Sequence, residues 1–240
     1  NSNCNLGSVT ITKPSGNGVA FNPGGTGSIG ELIVVDVFNN DCVRCTGGAQ
    51  GPFVVESGYL GTAGRTDTSH HQVGIQAGGG HDIEFRRMVI ESRDPNMGST
   101  QGIIVQALSG GSPTRIGLVD SVIGGKWTTL VNIGGGSSGC YVSNLLCGPS
   151  NNGVRIDAGV GGSQSKVKIV AANDPVLQAC LKARSVDPWL GGGPPPPPDP
   201  TVDELKAKIA ELEAALASCG VDRDSLSAQL AACTNERGTL

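Results

Sequence analysis

Four octets in this chain lie over one another without a gap: FVVESGYL (53–60), IEFRRMVI (83–90), IGLVDSVI (116–123) and CYVSNLLC (140–147). Each carries an apolar or thiol side chain at its first, third and eighth positions. These are Phe53, Val55 and Leu60; Ile83, Phe85 and Ile90; Ile116, Leu118 and Ile123; Cys140, Val142 and Cys147. A second set of stretches keeps step with them: GVAFN (18–22), CVRCT (42–46), GIQAG (74–78), GIIVQ (102–106), TLVNI (129–133) and GVRID (153–157). Their second residues are Val19, Val43, Ile75, Ile103, Leu130 and Val154, and their fourth are Phe21, Cys45, Ala77, Val105, Asn132 and Ile156. Ala20, Arg44, Gln76, Ile104, Val131 and Arg155 fall between them and should face outward. SVTI (8–11), LIVV (32–35) and KVKI (166–169) are weaker members. Alternation with period two, recurring about every 24 residues, means short strands that stack coil upon coil.

Such a column limits what else the chain can be. Each coil buries its inward residues against the coils above and below, so the core is stacked Val, Ile and Leu and needs few aromatics. Aromatic residues are only 3% and glycines number 38, which suits a fold whose corners are mostly glycine. The expectation is an all-β parallel β-helix of about six coils over residues 7–170. A β-sandwich would space its strands by about 8–12 residues with no long-range ladder, and it ranks well behind.

The sequence divides into a β-helix over 1–172, a capping helix over 173–186, a Gly/Pro-rich linker over 187–200 and a coiled-coil helix over 201–240. An open β-helix end must be covered, and NDPVLQACLKAR (173–184) fits that role. Asp174 can cap the helix, Pro175 suits its first position, and Val176, Ala179, Cys180 and Ala183 form one stripe. The run PPPPP favours an extended polyproline II spacer. Beyond it, Val202, Ile209, Leu216 and Leu230 take a positions of a heptad, while Leu205, Leu212, Cys219, Leu226 and Cys233 take d positions. Arg223 alone breaks the seam. Self-association follows, as a homotrimer or a dimer. CGVDRDSL (219–226) also reads as a break that would fold the segment into a hairpin, with Gly220 closing one helix and Asp222 capping the next.

NNDCVRC, SHHQVGIQAGGGHDIEFRRMVI and the repeated V-x-x-S-x-I coils resemble the right-handed parallel β-helix proteins of the pectin-lyase-like class. That class holds polysaccharide lyases and hydrolases, and also bacteriophage tail spikes and fibres. The resemblance covers about residues 7–170. Together with the order of column, spacer and heptad segment and with missing catalytic signatures, it points to a non-catalytic phage tail fibre or minor tail protein, expected in the virion tail or at an extracellular surface. Its partners would be copies of itself, other virion tail proteins and a host cell-surface polysaccharide. A polysaccharide-degrading enzyme and a purely architectural virion protein are the alternatives.

The insertions GTAGRTDTSHHQ (61–72) and ESRDPNMGSTQ (91–101) follow equivalent positions in adjacent coils and should project side by side, where a ligand would be held. Glycan-binding candidates are therefore Arg65, Asp67, His70, His71, Gln72, Arg93 and Asp94, with Arg44 and Gln76 bordering them. In an enzyme, Asp67 with Asp94, or Asp67 with Asp41, would form the carboxylate pair of glycosidic attack, with His71 beside them. The polygalacturonase-like enzymes of the class carry an Asp-Asp pair, a Gly-His-Gly and an Arg-x-Lys. None of these stands in this chain, and Val73 occupies the place where related coils carry an acid after HQ.

No cofactor or metal is expected. Cys42 and Cys45 form a CxxC with no second Cys/His pair, and an odd separation along a strand would aim them at opposite faces. The net charge of −4 without a Lys/Arg block excludes a nucleic-acid footprint. No apolar run reaches the roughly 18–20 residues of a membrane span. The start at Asn1, without Met or a signal segment, marks a processed chain or a fragment.

Overall fold

The computed structural model describes residues 2–21, 25–46, 50–64, 71–93, 99–108 and 111–190. The strands come first: β1 (Ser2–Thr12), β2 (Val19–Phe21), β3 (Gly25–Phe38), β4 (Val43–Cys45) and β5 (Gln50–Val55). β6 (Gly58–Gly64), β7 (Val73–Ala77), β8 (His81–Arg86), β9 (Met88–Ser92) and β10 (Ser99–Val105) follow. Then come β11 (Thr114–Gly125), β12 (Trp127–Ile133), β13 (Tyr141–Cys147), β14 (Val154–Ile156) and β15 (Ser163–Ile169). Two helices close the described chain, α1 (Pro175–Ala183) and α2 (Asp187–Leu190).

These strands form a parallel β-solenoid of about six turns, consistent with a right-handed β-helix. One sheet has six strands in the order β14-β12-β10-β7-β4-β2. The other has nine, because the long strands β3 and β11 each span a coil that its neighbours divide in two, β5 with β6 and β8 with β9.

The octets stack as their spacing requires. Phe53 pairs with Ile83 and Ile83 with Ile116, Val55 with Phe85 and Phe85 with Leu118. Leu60 pairs with Ile90, Ile90 with Ile123 and Ile123 with Cys147. In the smaller sheet Val19, Val43, Ile75 and Ile103 fall in one column. The next rung corrects the expected register. Val131, not Leu130, pairs with Ile103 and continues to Val154, so Ile133 rather than Asn132 faces inward with Val105. The slip moves Asn132 to the outward column beside Ile104 and Arg155. Leu130 is still fully buried and packs in the core.

Inward positions three and eight of an octet are separated by an odd number, which simple alternation forbids. In three of the four octets the chain resolves this with a left-handed residue at the fifth position. Arg87, Asp120, Asn144 and Lys166 share one corner with φ of 44°, 49°, 55° and 51°, and the Asn144 amide donates to Asp120 at 2.7 Å. Asp82, Arg115, Gly139 and Gly161 form a second such corner, at φ of 57°, 53°, 61° and 63°. A β-branched residue tolerates this region poorly, at a cost of about 1–2 kcal/mol. Asn144→Val is therefore expected to lower stability by about that amount, read as a lower unfolding midpoint in urea.

The helix after the column begins as its sequence predicts. The Asp174 carboxylate accepts from the Val176 and Leu177 N–H groups, each at 3.0 Å, and the helix ends on Arg184 at φ 51°. Its packing differs from expectation in two ways. Val176 is 39% exposed, and the buried face is Leu177 and Cys180. That face does not lie across the end of the column. It packs on the outward side chains Tyr59, Val89, Val122 and Leu146, together with Val186. These four are the seventh positions of the octets, an apolar stripe on the outside of the coils. Gly124 admits the helix, since a Cβ there would fall 2.5 Å from Leu181. The last strand keeps Ile169 about half exposed. Residues 187–190, expected as linker, form the short helix α2. Residues 191–200 and every heptad position from Val202 to Cys233 lie outside the described residues.

Cys42 and Cys45 are both buried in the same core, contrary to the opposed faces expected of them. Strand β4 begins only at Val43, so Cys42 sits in the bend before it and alternation does not apply. Among the described residues no helix is long and apolar enough to cross a membrane.

Candidate functional site: a polar cleft on the outer face of the early coils

The bend between β3 and β4 carries Asn39, Asn40 and Asp41. Asn39 takes φ 57°, a conformation asparagine tolerates, and the Asn40 amide donates to the Phe38 carbonyl at 3.2 Å. Asp41 is clamped between coils through its backbone. Its N–H donates to Asn17 Oδ1 at 3.3 Å, and its carbonyl accepts from Gly18 at 2.9 Å. The next residue, Cys42, donates to the Val73 carbonyl at 3.0 Å. Three successive coils thus fix one carboxyl group.

Asp41 is buried, with its side chain 6% exposed. The Val73 N–H donates to it, and His71 Nδ1 stands 3.9 Å away. Burial pushes its pKa up to about 6, against the pull of the Arg44 charge and the Val73 hydrogen bond. A cleft of about 440 Å³ opens over it. Arg44 and His71 line this cleft with the amides of Asn17, Asn39, Asn40, Gln76 and Gln106, and Leu108 adds the apolar contact. Amides and a carboxylate present both donors and acceptors, the set that orients a ligand rich in hydroxyl groups.

Of the residues expected from sequence, Arg44, His71 and Gln76 come together here, joined by Asp41. Gln72 is fully buried instead, where its side-chain amide donates to the Val37 carbonyl at 2.9 Å and its own carbonyl accepts from Thr100 Oγ1 at 2.5 Å. It ties coils together. Arg93 pairs with Asp36 at 2.6 Å and does not line the cleft. Arg65, Asp67, His70 and Asp94 lie outside the described residues. The sequence reading passed over Asn17, Asn39, Asn40 and Gln106. One signal was present, since Asn17 stands one repeat of 24 residues before Asp41.

A second cavity, of about 520 Å³, lies where the end of α1 meets the coils, lined by Glu31, Tyr59, Arg87, Arg184 and Asp187 among others. Its larger polar groups are already engaged with the fold. The Arg184 guanidinium sits 4.6 Å over the Tyr59 ring, the Tyr59 hydroxyl donates to Glu91 at 2.5 Å, and Arg87 donates to the Glu56 carbonyl at 3.0 Å.

Among the described residues the buried thiols offer no second chemistry. Burial holds Cys45 and Cys147 up to about 12 and pushes Cys42 and Cys140 upward as well. A thiol so raised is inert at neutral pH, because the thiolate is the nucleophile. Native protein treated with iodoacetamide at pH 7.5 should therefore be alkylated at exposed Cys4, while Cys42, Cys45, Cys140, Cys147 and Cys180 react only after unfolding. Peptide mass mapping reads the difference.

In comparisons with known protein families, with curated proteins and with solved structures, the chain matches none. Solenoid and cleft stand on their own geometry.

Proposed function

We propose that this protein is a non-catalytic glycan-binding β-solenoid of the kind used as a phage tail fibre or spike, with the Asp41 cleft as its binding site. The observation that carries the reading is the lining of that cleft: five amides, a buried carboxylate, an arginine and a histidine on the outer face of stacked coils. The order of the sequence supports the rest. A rigid column precedes a proline spacer and a heptad segment (202–236), a plan that suits display of several copies toward a host surface polysaccharide. A homotrimer in the virion tail, touching other tail proteins, is the assembly this plan fits.

The test is incubation of the full chain with bacterial capsular and cell-wall polysaccharides. Retention on the polymer without loss of chain length is the expected result. Shortening of the polymer would replace binding with cleavage.

One observation favours that second reading. A carboxyl held up to about 6 beside a histidine is a general-acid arrangement. Glycosidic hydrolysis takes two carboxyl groups, and among the described residues Asp41 alone faces the cleft, so binding is the stronger proposal.

A further inference from the structure

We propose that the Asp41 cleft takes an uncharged, polyhydroxylated sugar unit, whose neighbouring hydroxyls donate to the Asp41 carboxylate and exchange hydrogen bonds with the amides around it. The inference rests on the glycan-binding reading above and names the class of glycan.

The charges of the cleft decide between a neutral and an acidic ligand. Among the described residues, the titratable and charged groups facing Asp41 are Arg44 on β4, His71 at the entry to β7 and the buried Cys42 thiol next to it. The coil below contributes only Asn17 and backbone groups. Among the described residues, Arg44 offsets the ionised Asp41 and leaves no fixed cation over for an anionic sugar. An acid placed on the floor of the cleft would face a carboxylate. Every other polar side chain in the lining is a neutral amide, matched to hydroxyls that donate and accept.

The Asp41 carboxylate also has acceptor capacity to spare. It can accept about four hydrogen bonds, while it receives one from the Val73 N–H, and His71 stands at 3.9 Å, beyond hydrogen-bond length. Two sugar hydroxyls fill that deficit and favour the ionised form. Binding therefore releases the proton that burial retains in the free protein, and affinity rises with pH through the window around 6. An acidic ligand gives the opposite slope, because the Asp41 carboxylate repels it once ionised and ceases to do so as it takes up a proton.

The experiment titrates the full chain in a calorimeter, at pH 5 and pH 7.5, with two sets of probes. Neutral probes are gluco-, manno- and galacto-hexasaccharides; acidic probes are oligogalacturonate and oligosialate. The expected result is binding of a neutral probe, about tenfold tighter at pH 7.5 than at pH 5. Proton release should show as a buffer-dependent heat at pH 5 and be nearly absent at pH 7.5, where the carboxyl is already ionised. Asp41→Asn should weaken that binding at pH 7.5 and flatten its pH dependence, with an intact melting transition. Gln76→Ala should weaken it while keeping the slope. Binding of acidic probes alone, or neutral binding that tightens at pH 5, would overturn the inference and leave glycan recognition standing. Failure of every probe and of whole polysaccharides to bind would remove the glycan reading itself.

Discussion

Asp41→Asn is expected to stabilise the column at neutral pH by about 2–3 kcal/mol, a rise of roughly 5–10 °C in melting temperature. The carboxyl titrates near 3.8 when free and near 6 in the fold, and burial is the main cause. Between those values the native state holds a proton that the unfolded chain has released. Stability therefore falls as pH rises through the window, and the full deficit is present above about 6. Asparagine keeps an oxygen for the Val73 N–H and removes the charge. The gain should be present at pH 7.5 and vanish near pH 3.5. Calorimetric melts of both proteins at the two pH values check it, and equal melting temperatures at pH 7.5 would show that the carboxylate costs the fold nothing. A group kept at the expense of stability in an open cleft is what a binding site looks like.

The largest loss is expected from Phe85→Ala. Phe85 is fully buried at the third octet position, between Val55 and Leu118 in register, and its ring meets Phe21 edge-on at 6.3 Å. Phe21 in turn lies against Phe53, tilted by 56° with ring centres 5.0 Å apart. Truncation removes the ring from both neighbours and leaves a cavity that the stacked backbone cannot close, so the cost is about 3–5 kcal/mol. That is a large fraction of the stability of an ordinary domain. Val119→Ala, one residue beyond the same column on the outward side and only half-buried, should change stability by less than about 1 kcal/mol. Urea midpoints of the two variants separate the inward from the outward register. Equal effects would mean that the octets do not stack as described.

The column was legible because its signal repeats. Val55, Phe85, Leu118 and Val142 occupy the same place in four octets, and four agreeing rungs fix a register that one strand cannot. In the smaller sheet the rung TLVNI offered apolar residues at both Leu130 and Val131, and a single residue of slip was invisible until Ile133 was seen to follow Val105. The side on which the helix packs was legible in part. Tyr59, Val89, Val122 and Leu146 are apolar at one octet position, but the left-handed fifth residue that turns the last three outward leaves no compositional mark, being Arg, Asp or Asn. The cleft was the hardest feature to find. Arg44 and Gln76 stood out as polar residues within strands, whereas Asp41 stood out only as a possible partner of Asp67, and its character comes from the coils that bury it.

The shared left-handed corners have a bearing on how such a protein can change. Asp120 and Asn144 turn the same corner 24 residues apart, so excising or duplicating one such block would return the chain to the same corner with its interior columns still in phase. Length along the axis is then free to vary by whole coils at the β11–β13 end, while the coils that build the cleft stay untouched. For the binding role proposed for the cleft, reach toward a target and recognition of it become separately adjustable properties of one chain.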